Sequence, residues 1–379
     1  MKGHRSQSYH LKPIVTSGAY NELHRDGNNL ERIKSKCYRP VARTSAPLHV
    51  ADWGFVIRQL LCHVIVAAGL VGNCLSFFVM KSKPLRHKSY SHYLCALAVF
   101  DSLTLVTREM RHLHDLLTYF QYSGVFSDFS AVGCKIFSFS ECVSCLMSSW
   151  LVVAMALERV LVVYVPFRKN VWCTQRGAVA IIISLFVIFS YSQVFRFVMV
   201  TKTEGQCEGH RDYLAAYLVL HVYVYQLCLA YTLPIIIVFA ANISVLRKIC
   251  QVERTFRQDE NSASTRLTHA SSGRSKTTRM LLTICFVYVL TLLPGSTLSI
   301  VMIVAYQLFD LATSQQLLVA AVPWYNVLIV VSDLNYALNF YIYVLSGKKF
   351  RLELRRIFRT DRFVVSSHST RTREEFILS

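Results

Sequence analysis

Charge is scarce in this sequence: Asp, Glu, Lys and Arg make up 17% of 379 residues, while 53% are hydrophobic. A soluble domain of ordinary make-up carries about 25% charged residues, so water alone is the wrong solvent for this chain. Self-similarity is lacking too. No repeat of about 20–50 residues and no inverted-repeat symmetry is present, which weighs against a secondary transporter. Gly-rich phosphate loops, nucleophile elbows and metal-ligand pairs at helical spacing are absent as well, and His112 and His114 are too close in sequence to share one helix face. These gaps argue against an enzyme. Residues 1–52 hold neither an apolar signal segment nor an Asn-x-Ser/Thr glycosylation acceptor, and they read as a polar, disordered arm.

What the sequence does have is long apolar runs. A hydrocarbon core about 30 Å thick needs about 20 mostly apolar residues per helix, and seven runs reach that length: 54–80, 91–117, 133–164, 177–200, 214–246, 280–307 and 317–345. The expected fold is therefore an all-α membrane protein, a seven-transmembrane helix bundle. The formal net charge of +19 does not point to nucleic acid, because of where the cations fall. Lys81, Lys83, Arg86 and Lys88 follow the first run, Arg168, Lys169 and Arg176 the third, and Arg247 to Arg279 holds eight bases against three acids. The alternate connections are poor in Lys and Arg. Basic connections face the cytoplasm, which puts the N-terminus outside and the C-terminus inside a plasma membrane. The basic arm 1–52 runs against this bias, although long tails translocate largely regardless of charge.

Three regions follow: an extracellular tail 1–52, a membrane domain 53–346, and a cytoplasmic segment 347–379. In the last, Phe350, Leu354, Ile357 and Phe358 fall on one helical face with bases opposite, as in an amphipathic helix on an anionic leaflet. It contains no cysteine for a palmitoyl anchor. The polar stretch Gln251 to Lys276, with Ser262, Ser264, Thr265, Ser271 and Ser272, suits a cytoplasmic docking and phosphorylation loop. Most of the twelve cysteines lie in apolar runs and read as small buried hydrophobes. Cys134 and Cys207 stand apart on the oxidising side, where a bridge would close a long loop; Cys37 is a further outer cysteine.

Charges at bilayer depth cost about 2.5–3.5 kcal/mol on insertion scales, so they mark function by default. Asp101 lies in the inner half of the second run, with Asn73, Ser148, Asn335 and Asn339 at comparable depth. These oxygens suit a hydrated cation and equally an interhelical hydrogen-bond cluster. Glu158 and Arg159 close the third run. Several marks then occur in order: Gly72-Asn73, Leu97-Ala98-x-x-Asp101, Cys134 lying 25 residues before Arg159, Glu158-Arg159-Val160, Pro234, Pro294, and Asn339-Phe340-Tyr341-Ile342-Tyr343. Over roughly 54–360 the chain resembles a rhodopsin-like (class A) G-protein-coupled receptor. Ser91 to Ala98 and the Asn-Phe-x-x-Tyr variant are similar to invertebrate neuropeptide receptors, including FMRFamide-type ones.

The resemblance implies a switch, in which an outside ligand shifts a two-state bundle towards a form that accepts a heterotrimeric G protein, with arrestin and a receptor kinase as further partners. Arg159 would hold the inactive state through Glu158, Tyr343 would swing on activation, and Pro234 and Pro294 would supply kinks. No cofactor is implied beyond an allosteric sodium ion at Asp101. Departures put the usual activation route in doubt: Val160 for Tyr, Leu292 for Trp, Phe340 for Pro, Asn242 for Tyr, and no Trp in the fourth span. Arg108, His112, Glu141, Tyr223, Gln226, Trp324 and Asp333 are the candidate pocket residues, with Arg196 as a polar edge. Glu141 reads either as the partner of a ligand ammonium or as half of an internal salt bridge with Arg108 nearby. A pocket with both signs suits an extracellular peptide better than a small amine. The competing readings are an ion or proton pathway through Asp101, Glu141 and Asp333, and a binding-only receptor without G-protein coupling.

Overall fold

The computed structural model describes residues 49–165, 167, 173–203, 205–259, 268–308 and 311–359. Most of the N-terminal arm with Cys37, the serines at 262 and 264, Thr265, and the tail from 360 on lie outside them. The long helices are the first (His49–Lys81), second (Ser89–Tyr119), third (Ala131–Tyr164), fourth (Gln175–Ser192), the fifth in consecutive pieces (Leu214–Leu218, Val219–Thr232, Leu233–Asp259), the sixth (Thr268–Leu308) and the seventh (Leu311–Ala337, then Asn339–Ser346). A final helix covers 348–359.

Six of these helices are long and apolar enough to cross a membrane, and the second is not among them. It is the most charged of the seven runs read from the sequence. Asp101, Arg108, Glu109, Arg111 and Asp115 all lie on it, so its hydrophobicity alone does not carry it into lipid. What offsets these charges is their pairing inside the protein, described below.

The helices fall into two compact units, one made of the described part of Met1–Arg58 with Pro294–Ile329, the other of Gln59–Leu293 with Val330 onward. In the first unit Trp53 meets Trp324 edge-on at 5.2 Å, and Gly54 faces the backbone of Pro323 so closely that a Cβ there would overlap it. In the second, the third helix is the axis: 67% of its apolar window is buried, against 17–33% for the other spans. Its inward positions are small, with Cys142, Ser144, Cys145, Ser148 and Ser149 all buried, and small residues let membrane helices approach closely. Ser130 starts this helix by accepting the Gly133 N–H at 3.0 Å. The fourth helix leaves Ile183, Phe186, Val187 and Ile188 exposed, as a lipid-facing surface does. After a turn at Gln193 a short helix, Arg196–Met199, continues the span to Met199, where the strand from Val200 takes over.

Proline shapes the fifth helix. Pro234 has no N–H and its ring crowds the preceding turn, and the 14 residues before Leu233 are wound as a π-helix. There the Leu233 N–H reaches the Cys228 carbonyl, five residues back. In the same register residue 234 would donate to Leu229, and it cannot. The Trp150 indole N–H from the third helix donates to that Leu229 carbonyl at 2.9 Å, supplying the missing donor. The seventh helix breaks at Leu338 even though Phe340 replaces the family's proline. The Asn339 side-chain amide reaches back to the Asn335 carbonyl at 3.4 Å, and such insertion into the backbone ladder is a known cause of kinks.

On the side assigned to the exterior, β1 (Val200–Thr203) and β2 (Gln206–Gly209) pair antiparallel, with Lys202 opposite Cys207. Gly205 at the turn has φ +77°, a conformation glycine adopts without penalty. Cys207 is disulfide-bonded to Cys134, with Cα atoms 5.1 Å apart. The bridge packs with Phe126, Phe137 and Val200. At the other end, Phe350 of the last helix is buried against Tyr343 and Phe340, at 5.5 and 5.9 Å, and Leu354 and Ile357 also pack on the core. Phe358, expected on the same face, is 54% exposed; it lies beyond the reach of the core. Arg351 donates to the carbonyls of Val344 and Leu345 at 2.7 and 2.8 Å, capping the end of the seventh helix as a cation can.

Candidate functional site

Helical spacing brings Arg108, Arg111 and His112 to neighbouring positions of the second helix, since residues three and four apart share a face. Arg108 donates to Asp333 Oδ1 at 2.5 Å and to Ser332 Oγ at 2.9 Å, with its guanidinium 4.9 Å over the Tyr336 ring. Asp333 Oδ2 meets the His112 ring at 3.1 Å and accepts from the Cys62 thiol at 3.4 Å. Arg111 grips Glu141 through both its Nε and Nη2 and lies over Phe137. His63 meets Glu109 at 2.5 Å. The internal salt bridge expected of Glu141 therefore exists with a different partner: Arg111, a turn further out, takes Glu141, and Arg108 takes Asp333. Burying either ion alone would cost several kcal/mol, and the pairing is what makes a charged second helix compatible with lipid.

A further cation lies beside these pairs. Arg196 is fully buried and donates to Gln193 at 2.9 Å and Ser138 at 3.1 Å, with His221 Nδ1 at 2.9 Å. Tyr217, His221 and Tyr225 stack at 5.3 and 5.4 Å spacings, and Arg196 lies 5.0 Å over Tyr225. Its hydrogen-bond partners among the described residues carry no negative charge. This aromatic ladder was missed in the sequence, although the spacing of four between Tyr217, His221 and Tyr225 could have signalled it. Tyr223 and Gln226 are half-buried on the π-helical segment. Trp324 belongs to the other compact unit, where it meets Trp53 edge-on and is 61% exposed.

The inner layer is built differently. Asp101 is fully buried, and its two oxygens accept from Ser148 Oγ at 2.5 Å and Asn339 Nδ2 at 2.6 Å. Asn73 donates to the Tyr336 carbonyl at 3.0 Å, and its own side-chain oxygen is buried with no partner among the described residues. Asn335 contributes its carbonyl to Asn339. At the inner rim Glu158 Oε1 accepts from Arg159 at 2.7 Å and from Ser89 at 2.8 Å, and Arg159 lies 5.9 Å over the Tyr90 ring. Tyr343 is buried against Phe350, with ring centroids 5.5 Å apart.

Long apolar helices, a disulfide joining the third helix to a two-stranded hairpin, a buried carboxylate cluster and a Glu-Arg pair are the marks of a multi-pass membrane protein with polar groups held inside it. The family model described as 7 transmembrane receptor (rhodopsin family) matches residues 72–343, and the chain belongs to this family. It is 26% identical over 204 residues to the FMRFamide peptide receptor frpr-18 of Caenorhabditis elegans, covering 51% of this chain and 46% of that one. It is 24% identical over 331 residues to the thyrotropin-releasing hormone receptor of Homo sapiens, covering 80% and 78%, and 21% identical over 252 residues to a blue-sensitive opsin of Gekko gecko, covering 65% and 67%. The chain thus spans about half the length of the FMRFamide receptor it matches.

Proposed function

We propose that this protein is a plasma-membrane receptor, N-terminus outside and C-terminus inside, that binds an extracellular peptide and activates a heterotrimeric G protein. The observation that carries the peptide reading is the pair of opposed ion pairs, Arg108–Asp333 and Arg111–Glu141. A ligand bearing both a cation and carboxylate or amide oxygens can exchange partners with both pairs and leave every buried charge matched. A small amine engages only the acids and strands an arginine. One of the relatives is named as a peptide receptor and another as a hormone receptor, which supports the same choice.

Coupling would run through the inner layers. A ligand shifts the balance between two states only by binding one of them better. In the inactive state Glu158 retains Arg159; release of Arg159 frees a cation to meet the G protein, with arrestin and a receptor kinase acting later on the same face. The oxygen-rich donors Asp101, Ser148, Asn335 and Asn339 fit a sodium ion, and binding it would require Asn339 to turn its amide oxygen inward in place of the N–H it now donates. The test is expression with a promiscuous G-protein reporter, challenged with a library of neuropeptides. A reproducible response that disappears in Arg159→Ala at unchanged surface level is the expected result. Ligand-independent ion flux abolished by Asp101→Asn would instead favour an ion pathway and overturn the receptor reading.

A further inference from the structure

Cys62 of the first helix, His112 of the second and Asp333 of the seventh each bring a donor atom to one place, all within 4.8 Å of one another. Asp333 Oδ2 forms two edges of this triangle, 3.4 Å to the thiol and 3.1 Å to the imidazole. In a tetrahedral zinc site with bonds near 2.0–2.3 Å, ligand atoms lie about 3.3–3.6 Å apart. The two edges already stand close to that spacing. All three side chains are nine-tenths or more buried, at 0%, 4% and 0% exposure. The ring faces the cluster through Nε2, so ligation there places the ring proton on Nδ1, which no hydrogen bond among the described residues now occupies.

We propose that Cys62, His112 and Asp333 form a zinc-binding site joining three helices. Sulfur, nitrogen and oxygen from one residue each make a donor set suited to this borderline-soft ion, and three protein ligands leave the fourth position to water or a ligand atom. On binding, the Cys62 thiol gives up its proton to solvent and ligates as thiolate. With Arg108 beside it the site then holds three positive charges against one thiolate and one carboxylate, and a hydroxide or anionic ligand atom in the fourth position matches the third. Arg108 keeps its place on Asp333 Oδ1, as outer partners of metal-ligating carboxylates do, and Ser332 and the Tyr336 ring hold it there. Such a site pins the first and second helices to the seventh at the level of the outer ion pairs. It does not depend on the ligand being a peptide or on G-protein coupling.

The experiment is cobalt titration of the purified full-length protein in detergent, followed by the thiolate-to-cobalt charge-transfer absorption and its displacement by zinc. One equivalent should bind, with the band lost in Cys62→Ser and kept in Cys74→Ser, an exposed thiol on the same helix. His112→Gln should weaken binding at least tenfold. Zinc should also raise the melting temperature of the native protein and of Cys74→Ser but not of His112→Gln, which keeps the question answerable should Cys62→Ser fail to fold. Absence of the band, its survival in Cys62→Ser, or an equal zinc shift in His112→Gln would overturn the site, whatever the peptide assay shows.

Discussion

The outer and inner halves of the second helix keep their buried polar groups by opposite means. Towards one end, the two arginines are matched by acids on other helices: Arg108 by Asp333, Arg111 by Glu141. Deeper in, the hydrogen-bond partners of Asp101 among the described residues are neutral donors, Ser148 and Asn339. Loss of one member of an ion pair leaves an uncompensated buried charge, whereas loss of charge at Asp101 leaves neutral groups that can still hydrogen-bond. The outer layer should therefore be brittle and the inner layer tolerant, and a ligand entering from outside meets the layer with more to gain from an exchange of partners.

Single substitutions can break this contrast. Arg108→Ala strands Asp333, which is fully buried, and should destabilise by about 3–5 kcal/mol; thermal melting in detergent and surface delivery read the loss. Cys134→Ser or Cys207→Ser frees the hairpin that roofs Phe126 and Phe137, with an expected loss of about 2–4 kcal/mol. Surface delivery equal to the unmodified protein would show that the outer layer needs no covalent cover. Arg111→Ala should do less, about 1–2 kcal/mol, since at 33% side-chain exposure water reaches the pair and screens it. Asp101→Asn should have the smallest effect on melting, about 1 kcal/mol, because one of its two hydrogen bonds survives. The same variant should abolish any influence of sodium on peptide affinity, and a drop as large as that of Arg108→Ala would erase the distinction between the layers.

The helical plan was legible in the sequence because lipid leaves the backbone few alternatives to a helix of about 20 apolar residues. The second helix shows the limit of that signal: its partners lie on other helices, and no window of the sequence contains Asp333 together with Arg108. Asp101, Ser148 and Asn339 could be grouped by their comparable depth in the apolar runs, and they do meet. Glu141 could be read as half of a salt bridge, but Arg108 and Arg111 are three residues apart, and only the relative rotation of the helices decides which faces it. Cys62, His112 and Asp333 were invisible as a set for the same reason, since a metal-ligand search by helical spacing looks along one helix. The π-helical turn before Pro234 left a trace in the proline, while its rescue by Trp150 did not.

The sharpest test is a double-mutant cycle on Arg108 and Asp333, using leucine at each position and melting of the purified protein as the readout. Matched burial of opposite charges requires the double substitution to be far less damaging than the sum of the two single ones, by at least about 2 kcal/mol of coupling. Purely additive losses would mean that the two side chains do not neutralise each other, and the explanation of how a charged second helix resides in the membrane would be wrong.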